Sequence, residues 1–260
     1  MGVAIIVRHN CSGWDLIAAT GHFMVNRFDS STMHAIDLLV GKWPNFDRAV
    51  QFVVGNDLFQ GTLAAAVVWW LWFRPGTEAT VRRTRDHLIA TLCASVAAII
   101  AGRALALSLP FRIRPRWEPT LGYIIPFEPD PNAYMDWSSF PSDHAILFTT
   151  LAAGICFVSM RAGALVFICY LLFGAFPLMY IGGHYPTDII CGAAIGVLIA
   201  WLMNLRAMRQ ALSVPAQQWE RASQGTFFMA LFLLTCQIAS TFVSVRSAAL
   251  ALSRYVARVL

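Results

Sequence analysis

Charged side chains are scarce in this sequence. Only 13% of its 260 residues are Asp, Glu, Lys or Arg, whereas 58% are hydrophobic. Soluble domains carry about twice that charged fraction, so a soluble globular protein is excluded. So much apolar surface requires a lipid environment, in which a helix needs roughly 20 apolar residues to cross the bilayer.

Several other features are absent as well. The six cysteines include no Cys-x-x-Cys pair, so neither a disulfide framework nor a zinc site is predicted. No cluster of His, Cys and carboxylate residues has metal-ligand spacing, and we expect neither a metal nor a cofactor. No basic and aromatic module is typical of a nucleic-acid binder. The net charge of +5 therefore indicates membrane lipids, not nucleic acid, as partners.

Long apolar runs, each with charge only near an end, predict membrane-spanning helices. They are Leu58–Phe73, Leu88–Leu109, His144–Met160, Ala164–Ile181, Asp188–Leu205 and Thr226–Val245. The predicted fold is all-α: a polytopic membrane protein with a six-helix bundle in residues 47–245. We expect short interfacial helices in residues 1–46 and an amphipathic surface tail in residues 246–260.

Arginines in the short connections predict the orientation. They follow the first run, separate the third from the fourth, and follow the fifth as a basic loop: Arg74, Arg82, Arg83, Arg85, Arg161, Arg206, Arg209 and Arg221. Counting helices places all of them on one side, which is expected to be cytoplasmic. Loop 110–143 and turn 182–187 would then face outward and meet at one face of the bundle, where an active site is expected. The expected location is a bacterial inner membrane, with the active site facing the periplasm or the outside.

The stretch SSFPSDH closes the first of these outer segments. Ser142 is a good N-cap for the third run. His144 then lies in the first helical turn, where backbone N–H groups and the helix dipole favour an anion. Taken alone, the stretch is explained equally well by a helix cap with a bystander histidine.

The stretch GGHYPTD precedes the fifth run. His184 and Asp188 are one helical turn apart, so their side chains can meet. A carboxylate on one imidazole nitrogen fixes the tautomer and leaves the other nitrogen a better nucleophile. Gly182 and Gly183 let backbone approach closely. A structural polar pair is the alternative, but ionisable residues at membrane depth indicate function by default.

Arginines supply positive charge near these stretches. Arg112, Arg114 and Arg116 alternate, so in an extended chain they point in one direction, and guanidinium groups match phosphate oxygens. A basic loop touching lipid headgroups is the alternative. Arg103, near the end of the second run, needs an anion or a water-filled cavity. Together these residues favour phosphoryl transfer through a phosphohistidine.

In these motifs the sequence resembles the membrane-bound type 2 phosphatidic acid phosphatases, relatives of the vanadium haloperoxidases. The family motifs Lys-x6-Arg-Pro, Pro-Ser-Gly-His and Ser-Arg-x5-His-x3-Asp are matched by Arg114-Pro115, Pro141–His144 and His184-x3-Asp188. The resemblance spans roughly residues 57–205. It implies a helical bundle with its site at the outer membrane surface.

The resemblance also implies roles for individual residues. His184 would be the nucleophile, Asp188 its orienting partner and His144 the general acid for the leaving group. Arg114 and the amides near Ser142 and Asp143 would bind phosphate. Apart from the resemblance, the chemistry and position of Arg103, Arg112 and Gly183 make them further expected phosphate ligands.

Four positions depart from the family pattern. Leu107 stands for the motif-one lysine and Asp143 for glycine, while Pro177 and Leu178 stand for the Ser-Arg of motif three. Arg103, one helical turn before Leu107, is expected to supply a missing cation.

The function expected is an integral membrane phosphatase that hydrolyses a lipid phosphate or diphosphate, such as a polyprenyl diphosphate or a phospholipid phosphate. A lipid phosphotransferase would use the same histidine with a different acceptor. A non-catalytic membrane protein that binds a phosphorylated lipid is a third interpretation. Leu107 and Leu178 favour it, whereas His144, His184 and Asp188 oppose it.

Overall fold

Helices make up most of the computed structural model, which describes residues 25–56, 58–124, 126 and 137–242. They are α1 (Arg27–Asp37), α2 (Pro44–Val54), α3 (Leu63–Trp72), α4 (Glu78–Ser108), α5 (Asp143–Cys156), α6 (Met160–Tyr180), α7 (Pro186–Asn204), α8 (Arg206–Ala222) and α9 (Gln224–Ala239). A π-helical turn, Leu58–Thr62, leads into α3, and another, Leu171–Ala175, lies within α6. No strand occurs in the described ranges, which confirms the all-α prediction.

Three of these helices, α4, α6 and α7, are long and apolar enough to cross a membrane. The apolar helices α3, α5 and α9 are shorter. Each predicted run is therefore largely helical, but the predicted count of six spans is not confirmed. Large apolar side chains such as Ile190, Leu198 and Trp201 are exposed along α7. Such extensive apolar surface suits contact with lipid, and the protein is an integral membrane protein.

Helix α5 lies at the centre and packs against α4, α6 and α7. Its approach to α7 depends on two glycines. A Cβ atom at Gly192 would lie 2.8 Å from Ala145 Cβ, and one at Gly196 would lie 2.1 Å from Thr149 Oγ1. Thr150 Oγ1 also donates to the Gly196 carbonyl at 3.0 Å. Small residues permit such close helix packing in lipid, which keeps the first turns of α5 and α7 side by side.

Helices α1 and α2 cover the end of the bundle where α7 begins. Apolar residues of both, including Met33 and Val50, join one buried cluster with Tyr180 and Tyr185. The Tyr180 hydroxyl donates to the Asp47 carboxylate. Residues 25–46 of the predicted interfacial segment thus contain a short helix that packs on the bundle. Residues 1–24 and the predicted tail 246–260 lie outside the described residues.

The basic segment after α7 is a helix, α8, so its prediction as a loop is wrong. Arg85 Nη1 of α4 lies 2.8 Å from Glu220 Oε1, and Gln217 Nε2 donates to Asp86 Oδ1 at 2.6 Å. Both contacts attach α8 along the first turns of α4. An amphipathic helix of mixed charge has no long apolar run, so a search for such runs does not detect it.

Candidate active site

The three motif segments meet where α5 and α7 begin. The Ser142 backbone N–H donates to the Asp188 carbonyl at 3.3 Å, and the Ser139 N–H donates to the Arg112 carbonyl at 2.9 Å. Arg114 Nη1 donates to the Gly183 carbonyl at 2.7 Å. The outer segments predicted to come together are therefore in direct contact.

His184 is buried in the turn before α7, with 4% of its surface exposed. Its Nδ1 lies 2.9 Å from the Ser139 carbonyl oxygen. A carbonyl oxygen can only accept, so Nδ1 must carry the proton and Nε2 must present its lone pair. Arg114 Nη1 lies 3.5 Å from Nε2, consistent with an unprotonated Nε2. A histidine oriented in this way beside a cation has the geometry that a nucleophile requires.

Electrostatics favour the neutral form of this histidine. Burial lowers the pKa of His184 below its ordinary value; the Asp188 carboxylate opposes this shift, and the Arg114 guanidinium adds to it. The lowered pKa keeps this imidazole neutral near neutral pH, the form in which its lone pair can act as a nucleophile.

Asp188 is close to His184 but does not hold its ring directly. The distance from Asp188 Oδ2 to His184 Nδ1 is 3.6 Å, longer than a hydrogen bond. Oδ2 instead accepts from the Tyr185 backbone N–H at 2.8 Å, and Oδ1 lies 2.5 Å from Arg112 Nη1. The Ser139 carbonyl therefore makes the tautomer-fixing contact that the resemblance gave to Asp188. The carboxylate remains near enough to stabilise positive charge on the imidazole.

Arg112 lies behind the site, in a buried ion network. Its side chain is 3% exposed, and its Nη2 lies 2.6 Å from Asp29 Oδ2. Nη1 also donates to Thr187 Oγ1 at 2.9 Å, and the guanidinium carbon lies 4.1 Å from the centre of the Tyr185 ring. These contacts suit a residue that positions Asp188 more than one that receives phosphate.

Arg114 and Arg116 both lie against the turn that carries His184. The Arg116 backbone N–H donates to the Gly182 carbonyl at 3.0 Å. Gly182 has a φ of +65°, and a Cβ atom there would lie 2.9 Å from Arg116 Cβ, so glycine is needed at this close approach. A Cβ atom at Gly183 would lie 3.4 Å from Arg116 Nη2. Arg116, which was not among the expected phosphate ligands, therefore brings a second guanidinium to the turn.

The start of α5 brings the remaining predicted residues to this end of the bundle. Ser142 caps the helix by accepting the Ala145 N–H at 3.4 Å, as predicted. His144 is half-buried in the first turn. Arg103 Nη2 reaches from α4 to within 2.7 Å of Asp143 Oδ2, whereas Leu107 is 87% exposed. Position 103 thus directs a cation toward the α5 terminus, and position 107 does not.

Sequence reasoning missed Ser139, Asp29 and Thr187. Ser139 acts through its main-chain carbonyl, which no residue type reveals. Asp29 lies far from the motifs in the chain and reaches Arg112 only through the packing of α1. Thr187 stands between the two motif-three residues, and its Oγ1 donates to Asp29 Oδ2 at 2.6 Å. Its place inside the motif was an available signal.

Metal-ligating side chains do not gather in the described part of this site. Within the described ranges, no group of three or more His, Cys, Asp and Glu residues could hold a metal ion. The expected absence of a metal stays a prediction.

Comparison with known proteins identifies the family. The family model of the PAP2 superfamily matches residues 87–211, from α4 into α8, including the segments that form the site. The bacitracin transport permease protein BcrC of Bacillus licheniformis is 32% identical over 162 residues, which cover 62% of this chain and 72% of that protein. The chain belongs to the PAP2 superfamily. The family predicted from the sequence is confirmed.

Other relatives of this PAP2 protein have been named for their reactions. The undecaprenyl-diphosphatase of Sulfolobus acidocaldarius is 30% identical over 125 residues, covering 46% of this chain and 55% of that protein. The undecaprenyl-diphosphatase BcrC of Bacillus subtilis is 25% identical over 138 residues, covering 53% and 64%. These names agree with the predicted enzyme class, a hydrolase acting on lipid phosphates.

One solved structure is also similar to the PAP2 chain. It is the crystal structure of a transmembrane PAP2-type phosphatidylglycerolphosphate phosphatase from Bacillus subtilis, with a TM-score of 0.43 and 18% identity, covering 73% of this chain and 89% of that chain.

Proposed function

We propose that this PAP2 protein hydrolyses a lipid diphosphate or lipid phosphate through a phosphohistidine at His184. The observation that carries the proposal is the 2.9 Å hydrogen bond between His184 Nδ1 and the Ser139 carbonyl. It leaves Nε2 unprotonated, next to the Arg114 guanidinium. A histidine that only packed in the protein would not need a cation beside its lone pair.

In the first step, the Nε2 lone pair attacks the terminal phosphorus, and the bond from phosphorus to the bridging oxygen breaks. His144 donates a proton to the departing oxygen. When the substrate is a lipid monophosphate, the leaving group is a lipid alcohol. When the substrate is a lipid diphosphate, the leaving group is a lipid monophosphate. His184 becomes cationic while phosphorylated, and the Asp188 carboxylate and the Ser139 carbonyl stabilise that charge.

In the second step, neutral His144 takes a proton from water, and the water oxygen attacks the phosphorus. The bond between phosphorus and Nε2 breaks, its electron pair returns to His184, and inorganic phosphate leaves. Throughout, the phosphoryl oxygens need fixed positive charge. Arg114, Arg103 and the first backbone N–H groups of α5 are the groups we assign to this task.

A polyprenyl diphosphate is the first candidate substrate. Two relatives are named as undecaprenyl-diphosphatases. The site also lies at one end of an apolar bundle, where it can bind the phosphate of a lipid while the hydrocarbon chain of that lipid stays in the bilayer. A phospholipid phosphate is the second candidate.

Phosphate release from a panel of purified lipids tests the proposal. The intact protein, in detergent, would be given undecaprenyl diphosphate, phosphatidylglycerol phosphate and phosphatidate separately. We expect the highest kcat/KM on the diphosphate, and an acid-labile phosphoenzyme when the reaction is quenched early. His184→Ala should abolish both signals, while His34→Ala, which removes an exposed histidine of α1, should leave them unchanged. Full turnover in His184→Ala, or no release from any lipid, would overturn the proposal.

A further inference from the structure

A groove of about 720 Å³ lies between α3 and α6, away from the candidate active site. Its walls are mostly apolar and include Ala66, Val67, Leu165 and Cys169. Phe148 of α5 lies at its inner wall. The groove is therefore shaped for a hydrocarbon chain.

One end of the groove is positively charged. Arg74 follows the last turn of α3, and Arg161 lies in the first turn of α6. Both side chains are exposed, and neither forms an ion pair with any described residue. Ser159, which also lines the groove, caps α6, so the N–H groups and dipole of that helix add positive potential at the same point. These groups complement one anionic headgroup.

The groove has the length of a lipid chain. Its lining runs from Phe59 to Arg74 along the π-turn and α3, a rise of roughly 20 Å at about 1.5 Å per residue. Half of a bilayer's hydrocarbon thickness is about 15 Å, so an acyl chain from one leaflet fits along it. Trp70 lies beside Arg74, with its ring centre 5.7 Å from the guanidinium carbon. Tryptophan at that position is typical of the membrane interface.

The charged end cannot be part of the phosphatase site. His144 lies in the first turn of α5, whereas Ser159 follows the last turn of the same helix, roughly 20 Å farther along its axis. A phosphate bound by Arg74 and Arg161 therefore lies at the opposite end of α5 from His184. This is the side for which the arginine distribution predicts a cytoplasmic location, where anionic lipids attract basic groups.

We propose that the α3–α6 groove binds an anionic phospholipid that is not a substrate. Arg74, Arg161 and the N-terminus of α6 bind its phosphate, and one acyl chain lies between α3 and α6. The bound lipid fills the space between two helices that would otherwise pack incompletely, so its main effect is to stabilise the bundle.

Thermal unfolding of the delipidated protein, with all 260 residues, in detergent tests this proposal. Phosphatidylglycerol is the probe, because it is anionic and carries no terminal phosphate to hydrolyse. We expect it to raise the unfolding midpoint by several degrees, whereas phosphatidylcholine and inorganic phosphate raise it little. Native mass spectrometry should show one phosphatidylglycerol retained at higher collision energy than any other.

Two groove variants, each with a matched control elsewhere on the protein, separate lipid binding in the groove from lipid binding at other surfaces. Arg74→Gln/Arg161→Gln should lose most of the phosphatidylglycerol shift, while Arg82→Gln/Arg83→Gln, which removes two exposed arginines of α4, should keep it. Ala66→Trp, which fills the groove, should also lose the shift, while Ala194→Trp on exposed α7 surface should not. Unfolding midpoints without lipid show whether each variant folds. An equal shift in both arginine pairs, or an equal shift by phosphatidylcholine, would overturn the proposal.

Discussion

Arg103 of α4 and Asp143 at the start of α5 form an ion pair of 2.7 Å. The guanidinium carbon also lies 4.7 Å from the centre of the Trp137 ring. Both members of the pair depart from the family motifs, since Asp143 replaces glycine and Arg103 lies one turn before the expected lysine position. The two departures therefore form one unit, in which a carboxylate holds the Arg103 guanidinium at the N-terminus of α5.

Removing that cation should slow catalysis. We expect Arg103→Ala to lower kcat on the order of 100-fold, as loss of one transition-state donor does, measured by phosphate release at saturating lipid. Leu107→Lys in the same background should not restore the rate, because position 107 is 87% exposed. Arg103→Ala/Asp143→Gly should stay slow. Recovery in that double variant would mean that Arg103 serves only to neutralise Asp143.

Asp29 should act as a positioning residue. It is fully buried and binds Arg112, which in turn binds Asp188. Asp29→Asn leaves Arg112 with one carboxylate, and removing one partner of a buried pair costs on the order of 3 kcal/mol of unfolding free energy. We expect a lower thermal midpoint together with a lower kcat at unchanged KM. Asp29→Glu should recover part of the lost thermal midpoint and part of the lost kcat.

The matched control for that change is Asp37→Asn at the end of the same helix. Asp37 Oδ1 accepts the Ile124 N–H at 2.8 Å, and an asparagine oxygen can keep that bond. If Asp37→Asn lowers kcat as much as Asp29→Asn, the effect comes from α1 in general, and the buried network is not responsible.

The pH profile should report the neutral state of His184. An ordinary histidine has a pKa of about 6.5. Because burial lowers the pKa of His184, the midpoint of the acid limb of the kcat/KM profile should lie at a lower pH than that. Arg114 lowers this pKa and Asp188 raises it. Arg114→Gln should therefore move the limb to higher pH, and Asp188→Asn should move it to lower pH. Shifts in the same direction for both variants would contradict the assignment of the limb to His184.

Arg116 should supply the cation missing at Leu178. Both flank Gly183: the Leu178 carbonyl accepts the Gly183 N–H at 2.8 Å, and Arg116 Nη2 would lie 3.4 Å from a Cβ atom there. We expect Arg116→Gln to reduce kcat/KM about 10-fold or more. Leu178→Arg should add little to the unmodified protein but restore activity to Arg116→Gln. A site indifferent to Arg116→Gln would leave Arg103 and Arg114 as its working cations.

Activity should persist without divalent ions, because arginines can supply the charge that metals supply elsewhere. Phosphate release should be unchanged in EDTA. Vanadate should inhibit, since it adopts the five-coordinate geometry of phosphoryl transfer and can bond to the same nitrogen. Loss of activity on chelation, with recovery on adding a divalent ion, would be the contrary result.

The residues of the site were predictable where a side chain acts through its own chemistry. The proximity of His184 to Asp188 and the cap at Ser142 follow from spacing and residue type. The single direction expected for the three loop arginines does not hold, because Pro115–Trp117 form a 3₁₀ turn and buried carboxylates hold Arg112 behind the site. Apolar runs likewise predicted the helices of the bundle, because burial in lipid requires long apolar stretches.

The remainder depends on packing that residue type does not encode. The acceptor for His184 is a backbone carbonyl, and any residue at position 139 could provide one. Asp29 reaches Arg112 only because α1 folds over the bundle end. Arg112 resembles a phosphate ligand by type and position, yet two buried carboxylates hold it. The amphipathic helix α8 has too little apolar sequence to be distinguished from a basic loop.

The glycines at 192 and 196 have a mechanical consequence. They let the backbones of α5 and α7 come into direct contact. The two helices therefore cannot slide along each other without a steric clash. The spacing between His144 and His184 is then set by the interior of the protein, independently of the surrounding bilayer. Turnover should be nearly the same in thin and thick membranes, even where the outer helices tilt to match them.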